Sequence, residues 1–496
     1  MAEEQIYDLK SLLKVMGSGH MENTTYDTAW IARLNEIDAE ISNKALEWIC
    51  ENQLEDGSWG AKGVRYYHDI VISTLSAMIA LNYRGRRTQD RIKVERGMQA
   101  LERITAGATQ GLSADPNGAT VGFEMIIPTL VSEGERLGII KQQGDRILGK
   151  LARQRSAKME KLKGLKVNRH LTAIFSTEMA GKDSLHLLDL DKLQEPNGSV
   201  AYSPASTAYY LLAVNPNDRL ALNYLQETIK DGGAPFVKPF DIFERCWILW
   251  NYTLVEGIDD EMRQLIFPHL EHIKNNWVFG NGVSFTQDCA LFDSDDTSVS
   301  FHILKHFGFP VDINALLAYE EENHFRCYQY EINPSIGVNA HVLHALKDVK
   351  YTKNHPTVTK ILKFLYDTRI GDTYWFDKWH ISPYYITSHI IICCSDYDQR
   401  LCQSAINWIV GNQREDGAWG YYENPTAEET AYALQALKFW QKRGGRVSKE
   451  IIAKGGNWLK QNAAPPYPWL WIGKSIYYPY LIVQSVILTA LAMIEE

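Results

Sequence analysis

Three aspartates stand close together in the segment DSDDT, among apolar and aromatic residues. Asp293, Asp295 and Asp296 lie between Phe292 and Val299. Burying clustered carboxylates is costly, so such a group binds a proton and becomes neutral. A neutral carboxylic acid that faces an apolar cavity is the group needed to protonate an alkene. Two other interpretations stay open, a divalent metal site and an ordinary helix N-cap.

The elements that must position these acids contain an internal repeat. Residues 45–60, ALEWICENQLEDGSWG, return as AINWIVGNQREDGAWG at 405–420, and a weaker copy, QEPNGSVAYSP, begins at Gln194. Each strong copy predicts an amphipathic helix that ends at a glutamine, then an Asp-Gly turn and a tryptophan that packs on the helix end. Repeated helical units favour helical barrels, and an α-solenoid scaffold without chemistry stays open.

Most of the remaining chain also has helical periodicity, with short breaks at Gly, Pro or Asn. Examples are residues 70–81, 207–214, 340–346 and 427–440. The alternation typical of β-hairpins is hard to find. We therefore expect an all-α protein, and a length of 496 residues predicts more than one domain.

Composition and charge restrict the class of protein. Hydrophobic residues make up 45% and charged residues 22%, and the formal net charge is -9. An acidic chain argues against nucleic-acid binding as the main role, because phosphate backbones attract basic surfaces. The 7 cysteines include no CxxC pair, which argues against a disulfide framework. The N-terminus lacks signal-peptide features, and the most apolar stretch, 480–494, is short for a transmembrane segment, so we expect a cytoplasmic enzyme.

The acidic segment and several other motifs together resemble one family. DSDDT resembles the DxDD motif of class II terpene cyclases, which squalene–hopene cyclases share, and the repeats resemble the QW motifs of that superfamily. Further stretches are similar to diterpene cyclases, above all the bacterial halimadienyl and copalyl diphosphate synthase type: YDTAW (26–30), VGFE (121–124), NGSVAYSPASTAY (197–209) and WIGKSIY (471–477). The resemblance covers nearly the whole chain.

The resemblance implies two α-barrel domains of the βγ type, with the substrate cavity between them. We expect residues 21–234 to form the γ-type barrel and residues 235–496 the β-type barrel that carries DSDDT, joined by the N-terminal segment 1–20. The ionising DDxxD motif is missing, since residues 259–263 read DDEMR. The implied reaction is protonation-initiated cyclisation of geranylgeranyl diphosphate to a bicyclic diterpenyl diphosphate of the halimadienyl, kolavenyl or copalyl type, with the diphosphate retained.

The resemblance also assigns roles to residues around the acids. It makes Asp295 the proton donor, with Asp293 and Asp296 tuning its pKa. Asn339 is expected to hydrogen-bond the cluster, with a helix-surface asparagine as the alternative. His341 is a candidate for the group that removes the final proton, with a buried histidine of no chemical role as the alternative.

Substrate contacts are expected from aromatic rings and from a lysine. Aromatic faces stabilise a passing cation, and Phe285, Tyr477, Tyr478 and Tyr480 are the candidates for the cavity wall. Lys474, in WIGKSIY, is the candidate for binding the diphosphate. Its alternative is an ordinary lysine at a helix end.

A Mg²⁺ cofactor is implied by an acidic EDxxD-like stretch that family members carry before VGFE. Here that stretch reads ADPNG, and only Asp115 keeps its acid, which weakens the expectation of a metal site. The other expected partners are a second copy of the chain in a homodimer and a downstream class I terpene synthase or phosphatase. No nucleic acid and no membrane-spanning segment are expected.

Two other functions stay open. A squalene–hopene-like or meroterpenoid cyclase would use the same acid on a substrate without diphosphate, and YDTAW and VGFE favour the diphosphate users. A non-catalytic α-barrel binding protein or prenyltransferase-like subunit would tolerate Asp295→Asn. The burial of three acids among aromatic residues argues against this scaffold, because a scaffold does not need them.

Overall fold

Helices make up nearly all the regular structure of the residues that the computed structural model describes, which are 6–85, 87–106, 110–140, 143–149 and 151–496. The α-helices are α1 Leu9–Val15, α2 Thr25–Ile31, α3 Ala39–Glu51, α4 Tyr67–Arg84, α5 Thr88–Thr105, α6 Phe123–Arg136, α7 Gln143–Leu148, α8 Leu151–Lys161, α9 Pro204–Ala213, α10 Arg219–Thr228, α11 Asp241–Tyr252, α12 Asp260–Asn275, α13 Ser294–His306, α14 Asn314–Leu317, α15 Ile336–Asp348, α16 Pro356–Asp367, α17 Pro383–Cys394, α18 Gln399–Gly411, α19 Ala427–Lys442, α20 Lys449–Gln461 and α21 Tyr480–Glu495. The 3-10 helices are η1 Gly111–Ala114, η2 Thr172–Ala180, η3 Leu185–Leu187 and η4 Leu190–Lys192, and the strands are β1 Trp471–Ile472 and β2 Ile476–Tyr477. None of the helices in these ranges is long and apolar enough to cross a membrane.

The C-terminal half of the chain forms a closed ring of inner helices. Helix α11 packs on α13, and the ring continues through α15, α17 and α19 to α21, which packs back on α11. Helices α12, α14, α16, α18 and α20 pack outside this ring, and α1 joins them by packing on α12 and α21. Inner helix α17 is buried along its whole length, whereas outer helix α16 buries one face only. This is the pattern expected of two concentric helical layers.

The N-terminal half forms a second, smaller ring. Helix α2 packs on α4, α4 on α6, α6 on η2, η2 on α9 and α9 on α2. Helices α3, α5, α7, α8 and α10 pack outside this ring. The chain enters this ring from the C-terminal barrel between α1 and α2 and leaves it between α10 and α11. Residues 1–5 of the expected N-terminal segment lie outside the described residues.

The sequence repeats build equivalent turns between outer and inner helices. The indole N–H groups of Trp59 and Trp419 donate to a carbonyl near the end of the preceding outer helix, at 2.8 and 2.7 Å. Gln53 and Gln413 each donate to a carbonyl within the turn and to one in the next outer helix. The glutamine therefore joins successive outer helices, while the tryptophan fills the space beneath the turn.

The same turn recurs at the acidic segment, where the sequence shows no obvious copy. In the strong copies the backbone N–H of the tryptophan donates to a threonine hydroxyl on the following inner helix, Thr74 at 2.9 Å and Thr430 at 3.0 Å. Val283 donates in the same way to Thr297 of DSDDT, at 3.0 Å. The repeat architecture thus holds the start of α13, where the acids lie.

One short hairpin departs from the helical expectation. Strands β1 and β2 pair antiparallel, with Trp471 opposite Tyr477. The turn between them reaches the N-terminal ring, where Gly473 O accepts the backbone N–H of Val121 at 2.8 Å. The WIGKSIY motif is therefore a hairpin, and Lys474 lies in its turn rather than at a helix end.

Candidate active site

The acids occupy the first turn of α13. Asp293 is the N-cap residue, and its Oδ1 accepts the backbone N–H of Asp296 at 2.7 Å. Asp295 lies between them, and all three side chains are buried. Asp293 is thus a helix cap as well as a member of the cluster, and the cap fixes the direction in which Asp295 leaves the helix.

Burial and mutual repulsion favour the protonated forms of two of these acids. Burial raises the pKa of Asp293 to about 7. It raises the pKa of Asp296 well above its usual value, and the charge of Asp293 adds to that shift. Within the described residues, Asp293 Oδ2 and Asp296 Oδ1 have no hydrogen-bond partner. The cluster therefore holds protons near neutral pH, while the α13 N-terminus favours whatever negative charge forms there.

Two histidines, His341 and His389, form a chain of hydrogen-bond contacts that leads from Asp295 into the C-terminal ring of helices. His341 Nδ1 lies 2.6 Å from Asp295 Oδ1, and His341 Nε2 lies 2.7 Å from His389 Nδ1. Burial, with the neighbouring His341, lowers the pKa of His389 well below its usual range. His389 is therefore neutral. With its proton on Nδ1 it donates to His341, which leaves the Nδ1–H of His341 to donate to Asp295.

Asn339 does not hydrogen-bond the acids, contrary to the expectation from the sequence. Its Oδ1 accepts the backbone N–H of Phe325 at 2.8 Å, and its Nδ2 donates to Phe325 O and Ser335 O. The loop after Phe325 in turn accepts the hydroxyl and N–H of Ser294, the first residue of α13. Asn339 thus supports the acids only through that loop, and His341 makes the contact that was expected of Asn339.

A continuous series of aromatic side chains in contact extends from the histidines to the N-terminal ring of helices. Their centroids lie 4.1–6.4 Å apart, from the Phe243–Trp247 stack to the Phe175–Phe236 pair. We call this set the aromatic belt: Phe243, Trp247, Tyr385, Trp471, Tyr477, Phe236, Phe175, Phe285 and Tyr202. His341 lies against Trp247 at 6.0 Å, and His389 lies 4.4 Å from Tyr385. Asp295, which His341 contacts, therefore stands at one end of an aromatic path.

The aromatic residues predicted from the sequence divide into two groups. Phe285 and Tyr477 belong to the aromatic belt. Tyr480 instead contacts the rings of His20 and Tyr478, at 5.5 and 6.4 Å. Tyr478 and Tyr480 therefore lie outside the aromatic belt, because the chain turns at the end of β2 before α21 begins.

Lys474 is engaged within the protein rather than presented to a ligand. Its Nζ donates to Glu178 Oε1 at 2.6 Å and to the hydroxyls of Ser203 and Ser206 at 2.9 Å each. The side chains of Lys474 and Glu178 are both 0% exposed. An ammonium group has three hydrogens, and all three are used. This geometry does not support the expected contact with a diphosphate.

Asp115 does not have the geometry of a metal ligand either. Its carboxylate accepts the backbone N–H groups of Tyr67 and His68 at 3.0 and 2.8 Å, and His68 Nδ1 lies 2.7 Å away. It therefore caps α4, whose own N-cap residue, Tyr66, makes no side-chain cap bond. Within the described ranges, no three His, Cys, Asp or Glu side chains form a group that could hold a metal ion. The residues at this position do not fit a protein-held Mg²⁺.

Several residues of the site lie outside the motifs that the sequence shows. His389 stands in the apolar helix α17, where its polarity among isoleucines was the available clue. Trp247 and Tyr385 are joined by a hydrogen bond of 3.1 Å from the indole N–H to the hydroxyl. Neither residue lies in a sequence motif. Their contact depends on how α11 and α17 face each other in the ring of helices, and local sequence patterns do not predict that.

Comparison with known proteins places this geometry in a family. A profile of the squalene-hopene cyclase C-terminal domain matches residues 330–474. A type B diterpene cyclase of Mycobacterium tuberculosis is 46% identical over 487 residues, which are 97% of this chain and 97% of that protein. An ent-copalyl diphosphate synthase of a Streptomyces species is 30% identical over 474 residues, 91% of this chain and 88% of its own length. Both relatives are matched along nearly their whole length.

A solved structure shows the same fold. The ent-copalyl diphosphate synthase from Streptomyces platensis matches with a TM-score of 0.77 over 98% of both chains, at 24% identity. This confirms the expected all-α architecture of two helical barrels, which is that of the class II terpene cyclases. With the sequence relatives above, it follows that the chain belongs to the diterpene cyclase family. A plant relative, (+)-copalyl diphosphate synthase 3 of Marrubium vulgare, is 30% identical, and the match spans only 41% of its length.

Proposed function

We propose that this protein cyclises geranylgeranyl diphosphate by protonating its terminal alkene and releases a bicyclic diterpenyl diphosphate. The observation that carries the proposal is the buried Asp295, held by His341 at the end of the aromatic belt. The relatives named as diterpene cyclase and ent-copalyl diphosphate synthase support the choice of substrate class.

The first step is proton transfer from Asp295. We place the proton on Oδ2, because Oδ1 is the oxygen that His341 contacts. The alkene electron pair forms the new C–H bond, and the electrons of the O–H bond remain on Asp295 as a carboxylate. The N–H of His341 and the α13 N-terminus stabilise that carboxylate as it forms. These two interactions therefore favour the transfer.

Ring closure then moves the positive charge along the aromatic belt. Each aromatic face contributes about 0.5–2 kcal/mol to a nearby cation, and the apolar walls exclude water that would capture it. A proton then leaves carbon and passes to solvent, and Asp295 takes up a proton from solvent, which completes the isomerisation. Both ring nitrogens of His341 are occupied by Asp295 and His389, so we assign His341 to orienting the acid and not to the final deprotonation.

The remaining expectations stay predictions. A dependence on Mg²⁺ would come through the oxygens of the diphosphate itself, since Asp115 caps α4. We propose a cytoplasmic location and a homodimer. Because the product keeps its diphosphate, we also propose a class I terpene synthase or a phosphatase as the enzyme that consumes it.

Incubation of the purified protein with geranylgeranyl diphosphate tests the proposal. We expect a product of unchanged mass, which phosphatase converts into a bicyclic alcohol detected by mass spectrometry. Squalene, supplied in parallel, should give no product. Release of inorganic diphosphate in step with a hydrocarbon would contradict the proposal, and turnover of squalene alone would favour the cyclases that use substrates without diphosphate.

A further inference from the structure

The hairpin of β1 and β2 joins the two barrels through a buried ion pair. We propose that Lys474 and Glu178 act as positioning residues: their pair docks the hairpin in the N-terminal barrel and thereby sets Trp471 and Tyr477 in the aromatic belt. The catalytic part of this inference rests on the proposed function. The structural part can be measured without any substrate.

The ion pair is fully enclosed and its hydrogen bonds are shared with its neighbours. Besides accepting from Lys474, Glu178 accepts the hydroxyl of Ser206 through Oε2 at 3.1 Å and the hydroxyl of Tyr26 through Oε1 at 3.3 Å. Lys474 Nζ lies 5.6 Å from the centroid of the Tyr26 ring. A buried pair with satisfied partners keeps one geometry, because breaking it would leave a charge without a counter-charge.

The pair brings together three motifs that are far apart in sequence. Lys474 belongs to WIGKSIY, Ser206 to NGSVAYSPASTAY, and Tyr26 to YDTAW. Lys474 and Glu178 are separated by 296 positions. Burial raises the pKa of Asp27, the next residue of YDTAW, to about 7, and the charge of Lys474 works against that shift. These motifs therefore meet at the junction of the barrels, on the side of the hairpin turn.

The backbone of the hairpin is fixed on the same side. Ile476 N–H donates to Asp69 Oδ1 at 2.8 Å, and Gly473 O accepts from Val121. A Cβ on Gly473 would lie 2.7 Å from the ring of Phe236, so the hairpin approaches that ring as closely as a glycine allows. Contacts on both edges of the turn thus hold the hairpin in one position.

The two rings that flank the turn belong to the aromatic belt. Trp471 lies 5.2 Å from Tyr385, and its indole N–H donates to Glu428 at 2.9 Å. Tyr477 lies 5.6 Å from Phe236. A shift of the hairpin would move both rings, and a displacement of about 1 Å is enough to cost about 10²-fold in rate. The ion pair therefore affects the reaction through the shape of the cavity wall.

A positioning lysine and a diphosphate-binding lysine respond in opposite ways to Glu178→Gln. If Lys474 bound the diphosphate, removing the charge of Glu178 would release it for the ligand and lower KM. If Lys474 positions the hairpin, Glu178→Gln removes the same ion pair as Lys474→Gln. It should then reproduce the effect of Lys474→Gln on kcat and on the ratio of products, with KM little changed.

The experiment compares Lys474→Gln, Glu178→Gln and the double variant, with Lys363→Gln as control. Lys363 pairs with Asp367 on the exposed face of α16. We expect each single variant to lose about 10²-fold in kcat and to unfold at lower temperature. The double variant should lose less than the product of the two single losses, and the control should match the wild type. The proposal is overturned if Glu178→Gln lowers KM while Lys474→Gln raises it, or if the unfolding shifts of the single variants simply add.

A milder variant covers the case in which the single variants do not fold. Ser203→Ala removes one hydroxyl from Lys474 without breaking the ion pair. It should change the ratio of products at unchanged KM, and unchanged products would count against the proposal. The unfolding measurements need no substrate, so an enzyme that shows no cyclisation at all would refute the proposed function and leave the test of the ion pair valid.

Discussion

The acid cluster and the Lys474–Glu178 pair are two buried groups of ionisable side chains in one molecule. The pair contains a cation, Lys474, whereas the cluster consists of aspartates. At the cluster, no lysine or arginine of the described residues forms an ion pair with Asp293 or Asp296, and burial raises the pKa of both acids. At the pair, Lys474 neutralises Glu178 at 2.6 Å. Buried carboxyl groups without an ion-pair partner hold protons that they can donate. A buried ion pair instead fixes the relative position of the two elements that it joins. The comparison assigns chemistry to the first group and positioning to the second.

Removal of the donor should have the largest effect. Asp295→Asn keeps the shape of the side chain but cannot deliver a proton. General acid catalysis contributes about 10²–10⁴-fold in ordinary enzymes. We expect a loss at or beyond the upper end of that range, because no other group starts the reaction. Product formation should be measured alongside thermal unfolding, which should be unchanged. Activity within about tenfold of the wild type would remove Asp295 from its role.

Loss of the histidine contact should have the next largest effect. His341→Phe keeps the ring volume but removes the N–H that stabilises the carboxylate of Asp295. We expect a loss in kcat of about 10²–10³-fold, comparable to the loss of one oxyanion donor, with KM little changed. His344→Phe is the matched control, since His344 is buried on the same helix and its Nδ1 has no hydrogen-bond partner in the part of the chain that the structure describes. Equal losses in the two variants would show that His341 acts through packing alone.

The pH dependence should follow the protons of the cluster. The pKa of Asp293 is raised to about 7, so its carboxyl ionises as pH rises through about 7. The new negative charge opposes the formation of a second carboxylate at Asp295 during proton transfer, and kcat should fall. In Asp293→Asn this fall should move to higher pH. A kcat that rises between pH about 6 and 8 in the wild type would contradict this assignment.

The raised pKa of Asp293 also predicts a trend in stability. A carboxyl whose folded-state pKa is above its unfolded value stabilises the folded state below the unfolded pKa. That contribution is lost as pH rises through the folded pKa. Between pH about 4 and 7 the contribution of Asp293 to the free energy of unfolding should therefore decrease with rising pH. Denaturant titrations should show that the free energy of unfolding of the wild type falls relative to that of Asp293→Asn as pH rises over this range, and parallel curves would contradict the shift.

Asp115 should give the smallest effect, and one on stability rather than on metal dependence. Asp115→Ala removes the acceptor of two N–H groups at the start of α4. We expect a loss of about 0.5–2 kcal/mol in the free energy of unfolding, the usual worth of a helix cap. Titration of activity with Mg²⁺ should give the same midpoint as in the wild type. A higher Mg²⁺ requirement with unchanged stability would restore Asp115 as a metal ligand.

The features of this molecule that could be predicted from the sequence are those that short local motifs determine. DSDDT and the QW-like repeats each fall within a few turns of chain, and the turn at Thr297 repeats the geometry of the turn at Thr74. The roles of Lys474 and Asn339 depend on partners from other elements. Glu178 meets Lys474 only after two barrels have packed, and no spacing in either segment indicates that contact. Local chemistry was therefore predictable, and contacts between the barrels were not.

Transfer of a proton from the enzyme to the far end of the substrate is the central claim, and it can be measured directly in D₂O. Asp295 exchanges its proton with the solvent between turnovers, so unlabelled geranylgeranyl diphosphate should give a bicyclic diphosphate that carries one deuterium. That deuterium should lie on the ring carbon derived from the terminal alkene, and the diphosphate should still be attached. A product without deuterium, or one formed together with inorganic diphosphate, would contradict the account.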